Sequence, residues 1–314
     1  MLTSFFVALN AVLPFVLYLS FGAASVKSGL VDRAFFRKLN GFVFKAFFPF
    51  MTFMNIYDMD GDIGLSGRFL LYACGSMAVI FTLAVVITMR LEKDRRKQPC
   101  MIQSFYRSNI LLFAIPLART LLGDNAVGLA TAIVVIFVPF YNVSSVIILE
   151  SCCGKERTKP SKFVKEILTN PLVMGILVGL IFKGLNITVP DQVMKVVRAY
   201  GSAATPLALT ILGGTLQFAS AREHIKYILM VFLGKLILIP AALIAVGLFF
   251  HFSGLEIFSI FLVYATPVAT AAFTMCQAMG ADGDLMGEIV ASSTVASVFT
   301  LFCWIVFMQN IGII

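Results

Sequence analysis

Asn109, Tyr141, Asn142 and Thr266 are polar side chains in apolar surroundings, and each lies near a proline: Pro116, Pro139 or Pro267. Amides and hydroxyls hydrogen-bond a carboxylate well, so the pattern predicts binding rather than bond making. Pro116 and Pro267 interrupt long apolar stretches in opposite halves of the chain, and each is followed by a glycine and an aspartate, Gly123-Asp124 and Gly280 to Asp282. Proline removes an amide hydrogen and displaces the carbonyl one turn back. Inside a bilayer, backbone loosened in this way persists only where protein buries it or where it lines a cavity. Matched breaks in two halves therefore point to a transporter's site near the midplane.

The first break runs from Arg107-Ser108-Asn109 through Ile115-Pro116 to Gly123, and the next span holds Tyr141-Asn142 and Ser144-Ser145. The second runs from Tyr264 through Thr266-Pro267-Val268 to Gly280, followed by Ser292-Ser293-Thr294. Asn109 precedes Pro116 by seven residues, two helical turns, which puts its amide on the face of the break. The expected substrate-binding residues are Asn109, Ile115, Pro116, Tyr141, Asn142, Thr266, Pro267 and Val268. In this reading the Asn109 amide orients a carboxylate, and free N–H groups at half-helix starts add partial positive charge. Arg119 and Lys235 are cations within spans and carry a charge or coupling role: Arg119 to hold an anion, Lys235 as an anchor or a fixed cation in place of sodium. Snorkelling to the nearer interface competes in both cases. No acidic residue is placed mid-span.

These residues must be positioned by membrane helices. Of 314 residues, 60% are hydrophobic and only 13% charged, a balance that marks an integral membrane protein. A spanning helix needs roughly 20 apolar residues, and ten candidates appear: 5–24, 41–57, 69–89, 105–122, 126–149, 171–185, 201–218, 228–250, 257–279 and 289–309. The absence of basic residues before the first span argues for a retained helix rather than a signal peptide. Shifting the sequence by half its length lays Pro14 on Pro171, Gly22 on Gly179 and Pro49 on Pro206. This predicts two five-helix repeats, residues 1–157 and 158–314, and an odd number of spans per repeat inverts the second.

The formal charge of +8 is not a nucleic-acid signal, because 17 of the 24 basic residues fall in alternate loops. They are Lys27, Arg33, Arg37 and Lys38; Arg90, Lys93, Arg95, Arg96, Lys97 and Arg107; Lys155, Arg157, Lys159, Lys162 and Lys165; and Arg222 with Lys226. The positive-inside rule then places both termini outside a cell membrane, with Asp282, Asp284 and Glu288 as acidic exceptions in the last inner loop. The six cysteines suggest reduced thiols, and neither their spacing nor any other motif calls for a metal or a cofactor. His224 and His251 fall at span edges, where a structural role is expected.

The order and spacing of three groups of residues resemble those of the auxin efflux carrier family. They are Asn109 with Ile115-Pro116-Leu117 and Gly123; Asn170-Pro171 with Gly179, Pro190, Thr205-Pro206-Leu207-Ala208-Leu209 and Gly213-Gly214; and Ala265 to Pro267 with Gly280 and Asp282. The family includes plant auxin exporters and bacterial permeases associated with small organic acids. The resemblance covers essentially the whole chain. It implies an all-α membrane fold of ten helices in two inverted repeats, with helices four and nine broken at their prolines and crossing. It also implies a scaffold of helices 1, 2, 6 and 7, which often dimerises, and a transport domain of helices 3–5 and 8–10 that moves like an elevator. By that likeness Asn109, Pro116 and Pro267 map to the site. Ala114, where the family often has glycine, and Arg119 depart from its pattern.

An intramembrane aspartyl protease is excluded by the seven spans between Asp58 and Asp284, which set the two carboxylates on opposite faces where they cannot share a proton. No H-E-x-x-H or G-x-S-x-G motif is present. The sequence therefore predicts a secondary transporter, not an enzyme, moving a small organic anion such as a mono- or dicarboxylate. Its partners are the substrate, the lipid bilayer and a second copy through the scaffold helices. A sodium-coupled bile-acid-like symporter and a non-transporting receptor are the alternatives.

Overall fold

The computed structural model describes residues 2–58, 66–110, 113–114, 117–118, 121, 124–154, 165, 168–215 and 221–314. These residues are almost entirely helical, and no strand of a sheet occurs among them. In chain order the helices are α1 (Leu2–Lys27), α2 (Arg33–Ala46), α3 (Phe48–Tyr57), α4 (Gly67–Leu91), α5 (Gln98–Tyr106), α6 (Asp124–Cys153), α7 (Pro171–Gly184) and α8 (Asp191–Thr215). There follow α9 (Ala221–Val231), a π-helical segment (Phe232–Leu238), α10 (Ile239–Phe249), α11 (Gly254–Ala265), α12 (Thr270–Ala278) and α13 (Gly283–Asn310). Among the described residues four stretches are long and apolar enough to cross a membrane: Gly67–Leu91, Ile136–Cys153, Glu223–Phe249 and Gly283–Asn310. Three shorter apolar helices, Val16–Lys27, Pro171–Gly184 and Gly254–Ala265, join them.

Local chemistry sets several of the boundaries. Asp32 accepts from the Phe35 amide at 2.7 Å and starts α2, Ser66 caps α4, and Ser253 with Glu256 forms a reciprocal capping box on α11. Each satisfies amides that a helix start leaves open. Asn170 caps α7 ahead of Pro171, where a missing amide costs nothing. The span expected at 41–57 is two helices meeting at Phe47, because Pro49 occupies the first turn of the second and disrupts continuation from the first.

Lipid offers no hydrophobic drive for helix pairing, so small residues that permit close approach decide where helices meet. α1 lies against α8, and a Cβ added at Gly213 would sit 2.0 Å from the Leu19 carbonyl oxygen, while one at Gly22 would meet the Thr210 carbonyl. α3 packs on α7 and α8. Elsewhere α4 packs on α5, α10 on α11, and α13 on both α12 and α9. Many apolar side chains of α4 face outward, Leu71 and Val79 among them, as a lipid-facing helix requires.

Candidate functional site

Two helices lose their regular form at one place and cross there. α5 ends at Tyr106, and Arg107 is already extended, with φ −92° and ψ 114°. α11 ends at Ala265, and Thr266 is extended likewise. Ser108 and Val268 then face each other in an isolated antiparallel bridge. The Asn109 amide donates to the Pro267 carbonyl at 2.9 Å, and the Ala269 amide donates to the Arg107 carbonyl at 3.4 Å. Each unwound segment thus satisfies the other's backbone, and the Val268 amide finds the Ser293 hydroxyl at 3.3 Å. Helix resumes at Thr270 behind Ala269, which gives no side-chain cap; the Ala272 amide donates to the Ala269 carbonyl at 2.9 Å, and the amides of Thr270 and Ala271 open the helix.

The side chains gathered there are polar and buried. Asn109 Nδ2 donates to Thr270 Oγ1 at 3.4 Å. Arg107 is 2% exposed, and its guanidinium donates to Asn142 Oδ1 and Ser145 Oγ at 2.7 Å each and to Gln103 Oε1 at 3.3 Å. It also touches Met275 Sδ. Lys235 is fully buried. Its ammonium donates to the Ser108 hydroxyl and lies 5.8 Å from the centre of the Tyr264 ring, within cation–π range. The Tyr141 hydroxyl is buried beside Ser108 and near the Arg107 guanidinium. The arrangement can bind an anion: two charges, amide and hydroxyl donors, and loosened backbone in an apolar shell.

The sequence profile of a family described as membrane transport proteins matches residues 7–161 and 155–305. The chain belongs to this membrane transport protein family. It is the auxin-efflux-carrier-like family whose motifs the sequence resembles, and membership makes the chain a multi-pass membrane transporter. A comparison with curated proteins gives no match.

In this membrane transport protein, Asn109, Tyr141, Asn142, Thr266, Pro267 and Val268 come together at or beside the crossing. Thr266 is fully buried and turns its hydroxyl toward the Val263 carbonyl at 3.4 Å. Asn142 is engaged by Arg107. Ile115, Pro116 and Arg119 lie outside the described residues. Helix is lost at Arg107–Asn109, and the crossing partner of Pro267 is the Ser108-Asn109 dipeptide. Two expectations are corrected. Arg107 is not a loop cation, since α5 continues the span inward to Gln98 and carries it into the bundle. Lys235 does not snorkel, because Ser108 offers its ammonium a partner inside the protein.

Glu288, expected in an inner loop, is a buried residue of α13, and His224 Nδ1 lies 2.8 Å from its Oε2. Sequence reasoning missed Arg107, Ser108, Ser145, Thr270 and Ser293 as site residues. A signal for Arg107 was present: it falls inside the stretch 105–122 and stands two residues before Asn109.

Proposed function

We propose that this protein is a secondary transporter of a small organic anion, a mono- or dicarboxylate, that binds at the crossing of Arg107–Asn109 with Thr266–Ala269. The observation that carries this reading is the pair of buried cations, Arg107 and Lys235, whose described partners are all neutral. Buried charges are normally paired, and a carboxylate would pair these. Asn109, Tyr141 and the first amides of α12 supply donors around it.

Two inverted five-helix repeats, residues 1–157 and 158–314, underlie the site in this reading. The extended caps Arg107 and Thr266 stand 159 residues apart, as do the starts of α6 and α13. The reciprocal backbone bonds of the crossing also suit a two-fold relation. Helices α1, α2, α3, α7 and α8, which pack on one another, form the scaffold and a dimer contact. The remaining helices form a transport domain that slides past it and opens the crossing alternately to either side of a cell membrane, with both termini outside.

The test is uptake of labelled malate, malonate, lactate and an indole acid into proteoliposomes, with proton and sodium gradients imposed separately. Saturable uptake of one anion supports the reading. Folded protein that moves none of them contradicts it.

A further inference from the structure

Arg107 and Lys235 bring two formal positive charges to one crossing, and each described partner is uncharged: Asn142, Ser145, Gln103 and Met275 for the first, Ser108 and the Tyr264 ring for the second. Helix ends do not offset them. α5 and α11 present C-terminal carbonyls and α12 presents N-terminal amides, and their partial charges oppose one another. An ion in a low-dielectric interior without a counter-ion is strongly disfavoured.

We propose that these two cations make the protein an exchanger. The substrate anion is the counter-ion that the described residues do not supply, so a loaded site closes off from water readily. An empty site must close over desolvated Arg107 and Lys235, and does so slowly. The Arg107 guanidinium is covalently part of the chain and stays protonated, so unlike a coupling metal ion its charge cannot leave with the substrate and lighten the return. Lys235 is held in place for this: the π-helical segment Phe232–Leu238 widens the helix around it, a feature frequent at functional sites, and Ser108 fixes its ammonium to the unwound segment of the crossing. The proposal rests on the reading of the crossing as an anion-transport site.

The experiment measures efflux from proteoliposomes loaded with labelled malonate, malate or lactate, at a voltage clamped with potassium and valinomycin, with and without the same unlabelled anion outside. For the anion carried, exchange is expected to exceed net efflux by about tenfold or more, the factor produced by about 1.4 kcal/mol of barrier. An imposed voltage should alter net efflux more steeply than exchange, because the empty return moves both charges uncompensated, whereas a dicarboxylate cancels them and a monocarboxylate halves them in the loaded site. Lys235→Met should collapse the ratio and Lys235→Arg should keep it. Equal rates in the unmodified protein overturn the proposal. An unchanged ratio in monodisperse Lys235→Met protein overturns the part given to Lys235. The wild-type ratio and its voltage dependence decide the matter even where that variant does not fold. Movement of none of the three anions in either mode removes the transport reading beneath it, a failure distinct from equal rates.

Discussion

The backbone amide of Asn109 donates to the carbonyl of Pro267 at 2.9 Å, where neither chain segment is helical. Pro267 cannot use its own nitrogen as a donor, so its carbonyl is the group through which it joins the crossing. The same Asn109 reaches Thr270 Oγ1 with its side chain, which aligns the amide relative to the start of α12. Thr270→Val removes that second contact and leaves the backbone bond. Transport should continue with a KM raised several-fold, since a lost neutral hydrogen bond costs about 1 kcal/mol. Kinetics of labelled anion uptake by the purified variant check this.

Arg107 depends on Asn142 and Ser145 for its orientation. Asn142→Ala takes away one charge-assisted partner and should lower stability by roughly 1–3 kcal/mol, read as a fall in the thermal unfolding midpoint in detergent. Arg107→Lys keeps the charge but not the fork that serves both partners, so it should fold and yet lose transport by about tenfold or more, an effect of about 1.4 kcal/mol on the barrier.

His224 and Glu288 form a buried pair joining α9 to α13. Removing Glu288 takes the carboxylate partner from the buried His224 ring, at a cost of roughly 1–3 kcal/mol. Glu288→Ala should therefore be destabilised in thermal unfolding, while the double variant His224→Ala with Glu288→Ala should lose less than the two single changes predict together. Additive losses would mean that the two side chains act independently.

Much of this organisation was legible in the sequence. Apolar length marked the four described stretches that can cross a membrane, and Asn109 and Pro267 marked both halves of the crossing because polar groups and prolines inside such spans are conspicuous. The loss of helix at Arg107–Asn109 was not legible. There the compensating bonds come from Pro267 and Ala269, which are remote in sequence. Arg107 and Lys235 were ambiguous for a related reason. A cation near a span end either snorkels outward or turns inward, and the choice belongs to partners such as Asn142 and Ser108 that periodicity does not reveal. Glu288 was assigned to a loop with Asp282 and Asp284 because its partner, His224, lies on another helix.

Helix contact between α1 and α8 depends on the absence of side chains at Gly22 and Gly213, where an added Cβ would overlap the opposing backbone. Gly213→Leu should separate the two helices and sharply reduce the yield of monodisperse protein in size-exclusion chromatography. Gly41→Ala is the control, since nothing crowds a Cβ there, and its profile should match the parent protein.

The central claim is that the crossing holds the transported anion, and the Asn109→Ala variant tests it most directly. Saturable uptake of labelled carboxylate is measured in proteoliposomes for parent and variant at equal reconstitution, with thermal unfolding as the control for folding. The account predicts a variant that unfolds within a few degrees of the parent and whose uptake falls to background. Full uptake by the variant would contradict it and place the substrate elsewhere in the protein.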